Sequence, residues 1–161
     1  MLDSGALLNT NSFSHIEGAI TTPRVADEIK SRAPLIEAYV ESGLLEIREP
    51  REQSIEEIRK IAKSIGELDK LSGADVEVLA LALETEATLV TDDYHVQNVA
   101  AAAGIPFEGV TGKIRRAIRW IKRCTGCGRV FPYSYRGKRC PYCGGRIVVT
   151  PQRQSSPRRS A

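Results

Sequence analysis

Thr88-Leu89-Val90-Thr91-Asp92-Asp93 is the stretch whose reading decides the fold. Leu89, Val90 and Thr91 favour extended backbone and read as a short buried strand. Two adjacent carboxylates cannot continue a buried strand, so it ends at Asp92. The alanine-rich run 98–103 reads as a helix that Gly104 closes. Two acidic side chains therefore sit where a strand hands over to a helix, the edge at which open α/β sheets bind ligands. Taken alone, Asp92 or Asp93 reads most simply as the N-cap of that helix.

Working outward, strands alternate with capped helices. Residues 19–22 read as a strand, after which Thr22 caps a helix with Pro23 at its first position, running to about Ser31. Val25 and Ile29 form its inward stripe, with Glu28 beside it. A helix over 34–42 closes at Gly43, and 44–47 is a strand candidate. Ser54 to Glu57 reads as a capping box opening a helix over 55–65, stopped by Gly66. Ser72 to Asp75 reads as a second capping box. Its helix carries Val78-Leu79-Ala80-Leu81-Ala82-Leu83, apolar all round, which makes it the central buried helix. Residues 105–108 form a short last strand. At the start of the chain, Asp3-Ser4-Gly5 reads as a strand-end turn into a helix; either the strand begins at Met1, or further residues precede it. The alternation argues an α/β sandwich with a mostly parallel sheet.

Charge divides the chain. Its 161 residues carry net +3, yet all 20 Asp and Glu fall between Asp3 and Glu108. Residues 1–110, with nine Lys or Arg, are net −11, whereas 111–161 hold 14 Lys or Arg and no acid, net +14. A basic half with interleaved aromatics points to a polyanion partner, nucleic acid ahead of a merely solubilising tail. No run approaches the roughly 20 apolar residues of a membrane span and no signal peptide opens the chain, so a soluble cytoplasmic protein is expected.

Cys124, Cys127, Cys140 and Cys143 form two C-x-x-C pairs 12 residues apart, the spacing of a zinc ribbon. Gly128 and Gly144 follow the pairs, as tight thiolate knuckles require. Four thiolates make a closed structural zinc site with no open catalytic position. Residues 112–123 form a basic connector in which Ile114, Ala117, Ile118 and Ile121 fit a helical stripe, while 120–124 fits a strand equally well. The tail 150–161 is rich in Pro, Ser, Gln and Arg and is expected to be disordered.

Asp3, Asp75 and Asp93 all fall at strand ends or helix starts, with Glu28 and Asp92 as further acidic candidates. If those edges converge, the carboxylates share one cleft, and like charges so close need a hard cation such as Mg²⁺ or Mn²⁺. Such a site activates water and polarises a phosphodiester. His15 and His95 are isolated and read as structural or exposed.

Leu2-Asp3-Ser4-Gly5-Ala6, Thr22-Pro23-Arg24-Val25-Ala26-Asp27-Glu28-Ile29, Gly73-Ala74-Asp75-Val76-Glu77-Val78-Leu79-Ala80-Leu81-Ala82 and Leu89-Val90-Thr91-Asp92-Asp93 resemble, in order, the four acidic motifs of PIN-domain ribonucleases. A PIN domain followed directly by a four-cysteine ribbon is similar to the NIN-one-binding endonucleases, in their archaeal form. Leu71 to Asp75 and Thr91 to Asn98 resemble that subfamily in particular. The resemblance implies a three-layer α/β/α nuclease domain over 1–110, a basic connector over 111–123, a zinc ribbon over 124–149 and a basic tail over 150–161. It implies that Asp3, Glu28, Asp75 and Asp93 are metal-binding catalytic residues supported by Asp92, with Mg²⁺ or Mn²⁺ at Asp3, Asp75 and Asp93. The implied reaction is hydrolysis of precursor small-subunit ribosomal RNA near its 3′ end, leaving a 5′-phosphate and a 3′-hydroxyl. The implied partners are that RNA in the pre-small ribosomal subunit and ribosome-assembly proteins.

RNA contacts are expected from Arg115, Arg116, Arg119, Lys122 and Arg123 of the connector and from Arg129, Tyr133, Tyr135, Arg136, Lys138 and Arg139 of the ribbon, where basic and aromatic residues alternate. Phe131 and one tyrosine are expected to fill the ribbon's small core instead. Two competing functions are a toxin-like PIN ribonuclease on other RNA, against which the fused ribbon argues, and a non-catalytic RNA- or protein-binding adaptor whose carboxylates are only caps.

Overall fold

The computed structural model describes residues 1–9, 18–109 and 118–152. The body is built from β1 (Ala19–Thr21), β2 (Leu45–Ile47), β3 (Leu89–Val90) and β4 (Phe107–Glu108), with helices α1 (Ser4–Asn9), α2 (Pro23–Glu28), α3 (Ala33–Glu41), α4 (Glu52–Ile65), α5 (Gly73–Thr85) and α6 (Tyr94–Ala103). β1 pairs parallel with β2, and β3 parallel with β4. The first three residues join the two pairs. The Leu2 N–H donates to Ile20 O at 3.0 Å, Val90 N–H donates to Met1 O at 2.9 Å, and Asp3 N–H donates to Val90 O at 3.4 Å. Leu2 thus bridges Val90 in parallel, and the strand row reads β2, β1, Met1–Asp3, β3, β4. Its order reverses between the first segment and β3, the switch point of a doubly wound sheet, where loops after neighbouring strands part and leave a crevice.

Local sequence explains most helix boundaries. Thr22 accepts from Val25 N–H with Pro23 at the first position, and Ser72 and Asp75 form the reciprocal capping box. Gly66 and Gly104 close α4 and α6 in the left-handed conformation, at φ 79° and 74°. In α4, Ile58, Ala62 and Ile65 recur at helical spacing and are buried. α5 is the central helix, buried from Val78 through Ala82.

Two helix boundaries differ from the sequence expectation by three residues. α4 begins at Glu52, three residues before the anticipated start, and Ser54 caps nothing there. Instead the Arg51 N–H donates to Glu84 Oε1 on α5 at 2.6 Å, so a tertiary acceptor replaces the local box. α2 ends at Glu28, where Ile29 leaves helical backbone (φ −101°, ψ 37°) and a 3-10 turn over Lys30–Arg32 leads into α3.

The C-terminal unit is a three-stranded antiparallel sheet, β6 (Val130–Phe131), β5 (Trp120–Cys124) and β7 (Ile147–Pro151), in that order. Residues 120–124 are therefore strand rather than helix. Thr150 and Pro151 pair with Ile121 and Trp120, so the sheet runs past the expected boundary at Val149, while 153–161 and Ile114, Arg115, Arg116 and Ala117 lie outside the described residues. The buried core of this unit consists of Cys124, Phe131 and Cys140, with Tyr135 and Ile147 against it. Tyr135 is the tyrosine that fills the core, its ring centroid 4.7 Å from that of Phe131.

At Gly66 the two units pack closely. A Cβ on it would stand 2.7 Å from Tyr133 Cδ2 and 3.0 Å from Trp120 Cβ. Gly66→Ala combines left-handed strain with that clash, and we expect a loss of more than about 1–2 kcal/mol in denaturant unfolding. An unchanged unfolding midpoint would show that neither constraint matters.

Candidate active site and metal centre

Asp3 leaves the first strand segment at the switch point and is 6% exposed. Its Oδ1 accepts the Ala6 N–H at 2.6 Å, turning the chain into α1. Burial pushes its pKa above the ordinary 3.8; hydrogen bonds from Thr91 and Ala6 oppose the shift, and the charges of Asp75 and Asp93 add to it. Two carboxylates from distant parts of the sequence thus act on Asp3.

Each of the three also shapes a helix start. Asp75 Oδ2 accepts the Ser72 N–H at 2.8 Å. Asp93 caps α6, its Oδ1 accepting from His95 N–H at 2.6 Å and Val96 N–H at 3.3 Å, and its own N–H donates to Thr91 Oγ1 at 3.1 Å. Capping and convergence are therefore not rivals: the caps hold the carboxylates in place at the positive ends of their helices. Buried Gln97 supports the same loop by donating to Thr91 O at 2.8 Å.

The other two acidic candidates are placed differently. Asp92 is half-buried between Thr91 and Asp93. Glu28 is exposed at the end of α2, where its charge acts on Arg24, which is itself paired with Glu77 at 2.7 Å. His95 is a structural residue, its Nδ1 2.9 Å from Glu67 Oε2, while His15 lies outside the described residues.

Carboxylate oxygens that repel one another across a partly dry crevice are the donor set that hard divalent cations take. The three aspartates fit such an ion by this chemistry. Among the described residues, only the four cysteines form a His, Cys, Asp or Glu group already tight enough to share a single ion.

Those four sulfur atoms lie within 4.8 Å of one another, with Cys124 to Cys143 at 3.4 Å and Cys127 to Cys140 at 3.7 Å. A tetrahedron with Zn–S bonds of 2.3 Å has edges of about 3.8 Å, so the cluster fits that ion. The two knuckles repeat one design: Gly128 N–H donates to Cys124 O, Gly144 N–H to Cys140 O, and both glycines are left-handed at φ 72° and 71°. The Cys127 and Gly126 backbone N–H groups, against burial, lower the Cys124 thiol to about 6. At Cys143 the Gly145 N–H also lowers the pKa, but neighbouring sulfurs outweigh it and raise the thiol to about 11. Crowded thiols thus share protons unevenly, and a cation removes that conflict.

Around the knuckles lies a cleft of about 640 Å³ lined by Lys122, Arg136, Lys138, Arg139 and Arg146, with no acidic residue. Arg146 was not among the sequence candidates. Lys122 also donates to Tyr135 O at 2.5 Å and lies 5.3 Å from the Tyr133 ring. Tyr133 and Tyr135 are half-buried and occupied internally, which weakens both as base-stacking rings. The exposed ring is Tyr142, 67% accessible, with the Arg129 guanidinium 3.9 Å from its centroid. Its place between two ligand cysteines was the available signal. Arg119 and Arg123 are also exposed.

Two outcomes follow. The core of the C-terminal unit is too small to fold unaided, and thiolate-bound metal supplies on the order of 10 kcal/mol of folding energy. Elemental analysis of reduced protein should find one zinc per chain, and chelation should unfold β5 to β7 while helical circular dichroism persists. A raised carboxyl pKa means that Asp3 stabilises the metal-free fold below about pH 3.8 and that this stabilisation is lost as pH rises through its folded pKa. Metal-free Asp3→Asn at pH 7 should therefore melt no lower than the parent, but should lose the divalent-ion-induced rise in Tm. A lower Tm with that rise intact would make Asp3 a structural cap alone.

Comparison with known proteins agrees with this geometry. The family model described as "PIN domain of ribonuclease" matches residues 1–85. The Endoribonuclease Nob1 of Pyrococcus abyssi is 42% identical over 143 residues, covering 88% of this chain and 88% of that protein. The Ribonuclease VapC1 of Thermoplasma acidophilum is 36% identical over 149 residues, 91% of this chain and 75% of that protein. The 20S-pre-rRNA D-site endonuclease NOB1 of Saccharomyces cerevisiae is 32% identical over 103 residues, 60% of this chain and 22% of that protein. A PIN nuclease body with a parallel sheet, continued by a four-cysteine ribbon and matched along most of its length, places this chain in the Nob1 endoribonuclease family of PIN-domain ribonucleases.

Proposed function

We propose that the chain is a metal-dependent endoribonuclease that cuts precursor small-subunit ribosomal RNA near its 3′ end. The observation that carries this reading is Asp3, buried at the switch point and under the charges of Asp75 and Asp93. The relatives' names supply the substrate class: endoribonuclease for the archaeal protein and 20S-pre-rRNA endonuclease for the yeast one.

In this reading residues 1–110 cut, 111–123 connect, and the ribbon binds. Asp3, Asp75 and Asp93 hold Mg²⁺ or Mn²⁺, with Asp92 beside them and Glu28 contributing from the rim. Such an ion supplies an activated water and neutralises charge developing on the phosphodiester. The chain's own residues do the rest. Thr91 and the helix caps fix the carboxylates, so little reorganisation is needed when RNA arrives. Lys122, Arg136, Lys138, Arg139 and Arg146 take RNA phosphates, and Tyr142 with Arg129 offers a stacking face. Arg115, Arg116, Arg119 and Arg123 extend the basic path, and ribosome-assembly proteins on the pre-small subunit are the partners.

A toxin-like ribonuclease acting on other RNA is the second reading. The VapC1 match runs through the ribbon as well as the body, so the fused ribbon does not by itself argue against it.

The test is incubation of the zinc-loaded chain with RNA spanning the small-subunit 3′ end, in Mn²⁺ or in EDTA. Cutting at one position in Mn²⁺ is expected; scattered cutting selects the second reading, and none leaves an RNA-binding adaptor. Asparagine caps helices as well as aspartate does, so Asp93→Asn should keep the fold and RNA affinity. It should lose at least about 100-fold in cleavage, because the charge that holds the cation is gone. Undiminished cleavage by a folded Asp93→Asn protein would rule out its assignment to the site.

A further inference from the structure

Glu67 is a buried carboxylate that the proposed reaction does not use. It follows Gly66 at the end of α4, and its side chain is 2% exposed. Oε1 accepts from Trp120 Nε1 at 2.6 Å and from Asn98 Nδ2 at 2.7 Å. Oε2 lies 2.9 Å from His95 Nδ1 and 3.3 Å from Lys70 Nζ. A carboxylate only accepts, so His95 carries its proton on Nδ1. Burial alone would raise the Glu67 pKa, but these partners outweigh it and hold the group below the ordinary carboxylate value.

The four donors come from three places. His95 and Asn98 lie on one face of α6, Lys70 follows α4, and Trp120 opens β5. Asn98 grips the same strand entry a second time, donating to Ile118 O at 2.8 Å and accepting the Ile118 N–H. Lys70 Nζ stands 4.7 Å from the Trp120 ring centroid. From His95 the path continues to the acidic crevice: its N–H donates to Asp93 Oδ1, Asp93 N–H donates to Thr91 Oγ1, and Thr91 bonds Asp3.

We infer that Glu67 is a positioning residue, a clasp that fixes the first strand of the basic unit against the first turn of α6 and so aims ribbon-held RNA at Asp93. An apolar joint would hold the two units together but let them slide; here the Trp120 N–H on a buried charge and the two Asn98 bonds to Ile118 cross between the units in fixed directions, while His95, Asn98 and Lys70 hold the carboxylate in place. Orientation matters because an ångström of misplacement at a reacting phosphate is costly in rate. This inference rests on the proposed RNA cleavage for its catalytic consequence, though not for the clasp itself.

Trp120 is the chain's only tryptophan, so its fluorescence reports the clasp directly. Glu67→Gln turns one acceptor into a donor facing His95 and Lys70, whereas Trp120→Phe removes only the indole N–H and keeps a ring. In full-length zinc-loaded protein, Glu67→Gln should red-shift Trp120 emission and increase quenching by acrylamide. Both variants should keep RNA affinity in EDTA and cut a short single-stranded oligonucleotide at the parent rate. Both should lose at least about tenfold in cutting a long precursor RNA, which must engage ribbon and crevice together. Unchanged emission and quenching in folded Glu67→Gln overturns the clasp. Equal losses on short and long RNA, or none on either in both variants, overturns the positioning role. If the parent chain cuts no RNA, the proposed function fails while the fluorescence result still decides the clasp.

Discussion

The candidate site depends on three residues of backbone. Met1, Leu2 and Asp3 insert between β1 and β3, with Leu2 donating to one side and bridging Val90 on the other. Without that insertion the two parallel pairs would be separate ribbons, and an isolated two-stranded ribbon has little stability of its own. With it, the strand order reverses beside Asp3, and the chains leaving the two central strands turn opposite ways into α1 and α6. Asp3 thus closes the first strand segment beside Val90, and Asp93 follows β3 as the N-cap of α6.

Charge placed in that crevice is a cost that the surrounding backbone manages. Each aspartate accepts backbone N–H groups at a helix start, which fixes its rotamer and, at buried Asp3, offsets part of the desolvation. What remains is the burial of Asp3, the main cause of its raised pKa, with the charges of Asp75 and Asp93 adding to it. A fold that leaves carboxylates in conflict after their hydrogen bonds are satisfied is poised for a cation. The cysteine cluster solves the same problem with softer ligands, its thiols split between about 6 and about 11 until a metal replaces their protons.

The two units have opposite charge, yet among the described residues no salt bridge joins them. Their contact runs through glycine, aromatic rings and one buried carboxylate: Gly66 lets Tyr133 and Trp120 approach, and Glu67 collects the polar groups that the approach buries. The cations of the ribbon cleft line it without an acidic neighbour.

Much of this was legible in the chain itself because it is written in local chemistry. Capping residues at Thr22, Ser72 and Asp93, closing glycines at 66 and 104, the all-apolar stretch of α5 and the paired cysteines each act over a few residues, and the fold keeps them. The α4 start at Ser54 failed because Glu84, 33 residues away from Arg51, supplies the acceptor that a local box would have provided. Glu28 lies exposed at the end of α2, where its charge acts on Arg24, a placement its sequence position did not reveal. Glu67 carries no spacing motif; its meaning appears only when Asn98 and Trp120, 31 and 53 residues away, fold against it. Tyr135 was expected at an RNA face and Tyr142 was not singled out, yet packing sent the first against the core and left the second in solvent. The sequence by itself determined the periods, caps, cysteine spacing and charge division, since those follow from neighbours along the chain. Tertiary structure alone decided that Asp75 and Asp93 act on buried Asp3 and that Glu67 is buried against Trp120, because long-range strand order and burial set the distances between charges.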